Sequence, residues 1–481
     1  MEGTLKRKAI NGAFWLFMER ICAQLVSFSI SMILARLLMP SEYGIIAIVT
    51  VFITILNVLV TGSFSTALIQ KKSADDLDFN SVLIFGFVMS IIAYIILFVS
   101  APFINKFYEF EQLTAVLRVM GLQIIIAAVK SVYSALLNKR MQFKKFFWAT
   151  FIGTIVSAAI SIVMAYNGFG VWALVTQYLT NNLIDTVILA LVVDWIPKLQ
   201  ISFKRLKGLV SFGWKVLLSS LIDTIYNNIR SLIIGVKYTA SDLAYYNRGK
   251  QFPELIMNNI NVAISSAIFP ALSEQQDKKD EVKNFTRTTM KLSSYIVMPF
   301  MFGLAVISEP LVKLVLTDKW LPCVPFLRIL CFNAALMPLQ SANVQAILAI
   351  GRSDINIKLN ILKKGIGLIL VIVSLQISVI AMAYAGMITG VLCLIINASP
   401  NKKLLGYSFV EQIIDIVPYV LMSFVMAVTI WFIQYLPISA FFQIGLQVIF
   451  GALVYIMLSV VFRINCYHQI LKVLKGYLKR K

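Results

Sequence analysis

An all-α, polytopic membrane protein of about fourteen transmembrane helices is the fold class that this sequence predicts, on three observations. Of its 481 residues, 59% are hydrophobic and only 14% charged, against roughly a quarter charged in an ordinary soluble domain. The apolar residues gather into runs of about 20 or more, each long enough to cross a hydrocarbon core about 30 Å thick as a helix. Lys and Arg collect in alternate short connections, as cytoplasmic loops of membrane proteins do. A transmembrane barrel is excluded: its strands need about ten residues alternating apolar and polar, and the stretch from Val82 to Val99 is apolar on every face.

The spans run roughly 12–38, 43–69, 79–103, 112–137, 146–166, 171–196, 210–236, 251–273, 290–316, 322–349, 355–376, 380–397, 411–435 and 440–463. With the N-terminus inside, 25 of the 43 Lys and Arg fall in inside segments, five in outside loops and 13 within the spans as drawn. This asymmetry predicts an even number of spans and both termini in the cytoplasm, since one missed span would invert every later loop. The net charge of +21 is therefore topological, and no nucleic-acid partner is expected.

The apolar run behind Lys6, Arg7 and Lys8 reaches about Leu38, too long for a signal peptide. Connections from Lys198 to Lys207 and from Ser273 to Lys291 read as interfacial amphipathic segments. Cys22, Cys323, Cys331, Cys393 and Cys466 lie mostly in apolar runs without metal or redox spacing. Buried structural thiols are expected, with no metal or other cofactor. No loop exceeds about 20 residues, which leaves no room for an extramembrane catalytic domain.

An internal repeat emerges from short matches whose offset drifts in order. Ser41-Glu42-Tyr43-Gly44 resembles Ser241-Asp242-Leu243-Ala244, Asn57 matches Asn261, and Pro102 matches Pro310. Leu117-Arg118-Val119 then matches Leu327-Arg328-Ile329, and Arg140 matches Arg352. Two parallel six-helix bundles are predicted, over 1–209 and 210–400, followed by two further helices and a basic tail over 401–481. Alternating access between two such bundles follows naturally.

The first connection reads Leu34-Ala35-Arg36-Leu37-Leu38-Met39-Pro40-Ser41-Glu42-Tyr43-Gly44, which resembles the hairpin between the first two spans of polysaccharide transporters. With Leu117-Arg118 opening span four, the Asn138-Lys139-Arg140 turn and the 6+6+2 layout, the whole chain resembles the Wzx-type branch of that family. That branch lies within the multidrug, oligosaccharidyl-lipid and polysaccharide flippase superfamily. The resemblance implies a bacterial inner-membrane flippase rather than an enzyme. Its implied partner is an undecaprenyl-diphosphate-linked oligosaccharide, moved between leaflets for capsule, O-antigen or other surface polysaccharide. Docking to polysaccharide assembly enzymes stays open.

Intramembrane polar residues supply the candidate site, because an ionised side chain at mid-span costs about 2.5–3.5 kcal/mol on insertion scales. In span one, Arg20, Gln24, Ser27 and Ser31 form one helical stripe with Glu19 beside it; in span seven, Lys215, Ser219, Asp223, Asn227 and Arg230 form another. Spans two and eight add Asn57, Thr61, Asn258, Asn261 and Ser265. These faces predict a wet, cationic cleft. Arg20, Arg230, Lys130 and Lys215 are the candidates for a diphosphate, which guanidinium binds bidentately and ammonium as a point charge. Gln24, Asn57, Asn227, Asn258 and Asn261 are the candidates for the glycan.

Glu19, Asp223 and Asp185 are candidates for ion coupling, each with pairing to a buried Arg or Lys as the structural alternative. Arg36, Arg118 and Arg328 fall near span ends, where interfacial anchoring is favoured. Three other readings stay open. A cation-coupled multidrug exporter shares the two-bundle plan but handles organic cations, which a mainly basic cleft disfavours. A membrane glycosyltransferase or polymerase calls for a larger outer loop than the one around Lys237 to Lys250. A scaffold without transport would leave no cavity.

Overall fold

The computed structural model describes residues 18, 22, 24–62, 68–69, 71, 74–273 and 278–478, without the side chains of 209, 211–212, 258–259, 261–273 and 473–478. The described chain is helical throughout, with no strand among the described residues. In order, the helices are α1 (Gln24–Leu37), α2 (Pro40–Thr61), α3 (Asp76–Tyr108) and α4 (Leu113–Lys139), the last interrupted by a turn at Gly121. Next come α5 (Phe143–Tyr166), α6 (Val171–Val192), α7 (Phe203–Lys237), α8 (Ala240–Ser273) and α9 (Lys279–Val315). A 3₁₀ turn (Asp318–Cys323) precedes α10 (Val324–Ala349), followed by α11 (Ser353–Leu375), α12 (Val379–Leu405), α13 (Phe409–Trp431), α14 (Ala440–Val461) and α15 (Asn465–Leu478). The helices α1 to α14 thus follow the fourteen expected spans in order.

Nine of the described helices are long and apolar enough to cross a bilayer on length and composition alone: α2 to α5, α9, α10 and α12 to α14. The long helices outside that set, α6, α7, α8 and α11, fall short because polar side chains interrupt them. Asn181, Asn182 and Asp185 do so in α6, and Lys358, Lys363 and Lys364 in α11.

Two local devices recur in the two halves of the chain. At the start of α2, the backbone N–H of Met39 donates to Glu42 Oε2 at 2.6 Å. At the start of α8, Thr239 N–H donates to Asp242 Oδ2 at 3.2 Å and Asp242 N–H to Thr239 Oγ1 at 3.1 Å. In both, an acid three residues into the helix satisfies an amide that the helix leaves orphaned. Further on, Arg118 Nε donates to the carbonyl of Phe98 at 3.3 Å, and Arg328 Nε to Ser308 Oγ at 3.0 Å. Each arginine reaches back twenty residues, clasping α4 to α3 and α10 to α9.

By packing, the chain divides into two compact units, residues 1–244 and 245–481. α7 belongs to the first because it lies along α2 and α3. Packing and repeat divide the chain by different criteria, contact in one case and sequence correspondence in the other.

In unit 1, the core around Leu68, Phe79, Val82, Val132, Tyr133, Leu136 and Trp195 joins α3, α4 and the connection after α6. That connection is clamped: Asn80 Oδ1 accepts from Lys198 N–H at 2.9 Å and Ser81 Oγ from Ser202 N–H at 2.9 Å. Beside it the fully buried Asp78 takes two bonds from Lys71 Nζ, at 2.7 and 2.6 Å. Arg205 bonds Asp75 and holds its carboxyl down at about 2. The segment expected as an interfacial amphipathic connection is thus tied to the start of α3.

In unit 2, Tyr295, Tyr419, Met422, Met426, Tyr455 and Cys466 join α9, α13, α14 and α15. Cys323, Cys331 and Cys466 are buried and Cys22 and Cys393 partly buried, and none of the five forms a disulfide.

Candidate functional site

Polar residues of α4, α5 and α6 meet inside unit 1. Lys130 Nζ donates to Asp185 Oδ2 at 2.7 Å and to Asn182 Oδ1 at 3.4 Å. The Asp185 side chain is 2% exposed, and its other oxygen, Oδ1, is buried with no hydrogen-bond partner among the described residues. Gly153 on α5 makes this possible, since a Cβ there would overlap Oδ1. Next to it, Asn181 Nδ2 reaches Thr154 Oγ1 at 3.3 Å, and Gln123 Nε2 donates to the carbonyl of Tyr178 at 3.0 Å. A buried carboxylate with one oxygen on an ammonium and the other orphaned is chemically able to take up a proton or a small cation.

A second polar surface lies where α2 packs on α7. A Cβ on Gly44 would overlap the carbonyl of Ala240, and one on Gly235 would crowd Ile48, which fixes the two segments as antiparallel neighbours. Extending that register brings Asn57 level with Tyr226 and Asn227 and within about one turn of Arg230. The Nε of Arg230 is buried and has no hydrogen-bond partner among the described residues; so is Asn57 Oδ1. Two orphaned buried polar atoms, one a cationic donor, call for a polar occupant, because each unmade bond costs about 1–3 kcal/mol, more for charged groups.

The other expected residues fall as follows. Glu19 and Arg20 lie outside the described residues, as do the side chains of Asn258 and Asn261. Gln24 opens α1, half-buried. Lys215, Asp223 and Asn227 are exposed on α7. The structure therefore brings Lys130 and Asp185 together, leaves Asn57 and Arg230 with buried atoms unpartnered among the described residues on two helices that pack on each other, and leaves Lys215 exposed on α7.

Unit 2 holds polar groups that the sequence reading did not single out. Asn343 and Gln412 exchange bonds of 2.9 and 3.1 Å, and Asn401 Nδ2 donates to Asn343 Oδ1 at 2.6 Å, all fully buried. Lys363 Nζ donates to Asn397 Oδ1 at 2.8 Å. Arg287 clamps Asp415 through Nε at 2.6 Å and a terminal nitrogen at 2.7 Å, with Lys291 at 3.0 Å. The signal for Lys363 was present in the run Ile361-Leu362-Lys363-Lys364-Gly365-Ile366, which is too far into an apolar segment to be loop. For the amides there was no signal, since single Asn and Gln residues are common at helix interfaces.

The chain resembles known proteins over most of its length. The family model described as "Polysaccharide biosynthesis protein" matches residues 33–325. The teichuronic acid biosynthesis protein TuaB of Bacillus subtilis (strain 168) is 22% identical over 73% of this chain and 73% of its own. The lipopolysaccharide biosynthesis protein WzxC of Escherichia coli (strain K12) is 22% identical over 75% and 74% respectively. Among solved structures, the lipid II flippase MurJ in an inward closed conformation superposes with a TM-score of 0.76, at 16% identity, over 96% of this chain and 100% of that one. An inward-facing MATE family multidrug transporter superposes at 0.60, at 14% identity, over 79% and 95%. These solved structures share the fold, and the family model covers more than half of the sequence. This multi-pass, all-helical membrane protein accordingly belongs to the polysaccharide biosynthesis protein family.

Proposed function

We propose that the protein is a flippase that moves an undecaprenyl-diphosphate-linked oligosaccharide from the cytoplasmic to the outer leaflet of the bacterial cytoplasmic membrane, by alternating access, for surface polysaccharide biosynthesis. The observation that carries this reading is the buried, unpartnered Nε of Arg230 within a long helix of a polysaccharide biosynthesis family member. A guanidinium held there without a partner suits a diphosphate, which accepts bidentate, charge-assisted bonds. Asn57 and Asn227 suit glycan hydroxyls. Arg20, Gln24, Lys215, Asn258 and Asn261 extend this assignment as the sequence reading has it. The names of TuaB, WzxC and MurJ support a cell-envelope glycan cargo, lipid-linked in the case of MurJ.

Asp185 is the proposed coupling carboxylate. A proton or Na⁺ arriving at its orphaned oxygen would weaken its hold on Lys130, and one charge moving across 100 mV is worth about 2.3 kcal/mol. Glu19 and Asp223 stay as further candidates. Both termini are taken as cytoplasmic, the two six-helix repeats as 1–209 and 210–400, and residues 401–481 as a peripheral addition. The basic inner loops are candidate docking points for assembly enzymes.

The test is transport in liposomes carrying purified protein and a fluorescent undecaprenyl-diphosphate oligosaccharide. Exposure on the opposite leaflet should depend on the protein, fall at least tenfold with Arg230→Ala, and recover in part with Arg230→Lys. Exposure unchanged by Arg230→Ala refutes the assignment of the cation. No exposure, with organic-cation efflux in the same vesicles, transfers the protein to the multidrug reading that its likeness to a MATE transporter also fits.

A further inference from the structure

Where α9, α13 and α15 converge in unit 2, a cavity of about 470 Å³ opens beside the Arg287–Asp415 pair. Its polar lining includes Thr288, Lys291, Asp415, Arg463, Asn465 and Gln469. Asp415 does not make it acidic. Its oxygens are taken by Arg287 at 2.6 and 2.7 Å, by Lys291 at 3.0 Å and by the hydroxyl of Tyr407 at 2.9 Å. Counting Arg463, three cations face one carboxylate, a local excess of positive charge. Arg463, Asn465 and Gln469 make no side-chain hydrogen bond among the described residues, so their donors stand available.

Arg463 occupies an unusual backbone position. It ends α14 with φ of 48°, its N–H donating to the carbonyl of Val460 and that of Ile464 to the carbonyl of Ser459. This is a helix-ending motif in which glycine is the usual residue at the left-handed position. The corresponding place after α10 is filled by Gly351, with φ of 77°. An arginine at this position bears a conformational cost and in return brings a guanidinium to the rim of the cavity.

The apolar side of the cavity continues onto an exposed stripe. Ile414 lines it, and Val410, Ile414, Val417 and Leu421 recur at helical spacing along α13, all exposed. On a membrane helix such a stripe faces acyl chains.

We infer that this cavity is a binding site for the phosphate headgroup of an anionic membrane phospholipid, with Arg463 and Lys291 on the phosphate and the acyl chains along the α13 stripe. The site is separate from the surface assigned to the transported glycolipid, and it does not depend on that assignment. Charge complementarity selects an anionic over a zwitterionic lipid, and the adjoining apolar stripe selects a lipid over a free anion.

The experiment uses the full chain, delipidated in neutral detergent and titrated with phosphatidylglycerol, with phosphatidylcholine or with inorganic phosphate, while bound lipid and thermal stability are followed. Phosphatidylglycerol should be retained and should raise the melting temperature, phosphatidylcholine and phosphate much less. Arg463→Gly is the decisive variant, because glycine suits the left-handed backbone there and the fold is kept while the cation is lost. It should weaken phosphatidylglycerol binding about tenfold, the scale of one charge-assisted contact, and Arg463→Lys should restore part of it. Equal binding of the two lipids, or unchanged binding by Arg463→Gly, overturns the inference. Stabilisation by inorganic phosphate as strong as by phosphatidylglycerol overturns the lipid as source and leaves a soluble-anion site.

Discussion

Replacing Asp185 with Asn tests whether the Lys130–Asp185 pair is held as the structure describes. Lys130 lies nine residues before the end of α4 at Lys139, about 13 Å along the axis at 1.5 Å per residue. An extended lysine side chain cannot span that distance to reach water. Removing one member of a buried pair in a soluble protein costs about 3–5 kcal/mol, and a charge at mid-bilayer about 2.5–3.5 kcal/mol on insertion scales. Two features lower the figure here: the Lys130 side chain is 22% exposed, and Asn182 Oδ1 still accepts from it at 3.4 Å. We therefore expect Asp185→Asn to destabilise the protein by about 2–3 kcal/mol, read as a shift in reversible unfolding by SDS in mixed micelles. The double variant Lys130→Met with Asp185→Asn, which leaves no charge behind, should recover all but about 1 kcal/mol. An Asp185→Asn protein that unfolds like the parent would refute the reasoning, because Lys130 would then have found another partner at no cost. Transport separates structure from coupling: if Asp185 couples, the stable double variant still loses its dependence on the ion gradient.

Three further outcomes follow from the geometry. Gly153→Ala should destabilise by about 1–3 kcal/mol through overpacking against Asp185 Oδ1, and this loss should largely vanish in an Asp185→Ala background, as a double-mutant cycle would register. Asp415→Asn should be among the more damaging substitutions in unit 2, since it leaves Arg287 and Lys291 facing each other without their carboxylate; a thermal midpoint unchanged from the parent would exclude that role. Asp75, held at about 2 by Arg205, has a folded value below its unfolded one of about 3.9. The contribution of that pair is therefore complete above about pH 4 and lost as the pH falls through about 2. Pepsin cleavage in the 193–202 connection, normalised to an unfolded peptide, should rise across that window in the parent and show no such step in Asp75→Asn.

Helix positions are legible because the signal is local: length and apolarity of a run decide whether it can cross, and most of α2 to α14 fall on the expected spans, although α8 and α9 begin at 240 and 279 rather than at 251 and 290. The connection from Lys198 has a legible amphipathic pattern, but its clamp onto Asn80 and Ser81 depends on residues over a hundred positions away, which no local pattern encodes. The same holds in the site. Lys130 and Asp185 each stood out as intramembrane charges, yet they are 55 residues apart, and only packing of α4 on α6 makes them a pair. Asp415 is a lone acid near the start of α13 with no local pattern to mark it; Arg287, 128 residues earlier, makes it the centre of a charged cluster. Lys363 carries its charge well into α11, and the amide of Asn397, 34 residues later, supplies its partner.

The paired caps at Met39 with Glu42 and at Thr239 with Asp242 bear on how such a chain keeps its identity over long divergence. Each cap finds all of its partners within four residues, so it tolerates any change in the helices behind it that preserves a turn and an acid. A contact between distant helices enjoys no such independence, because either side can drift and force the other to follow. The matching stretches Ser41-Glu42 and Ser241-Asp242 are therefore marks of local self-sufficiency, unlike the matched Arg118 and Arg328, which each depend on a second helix.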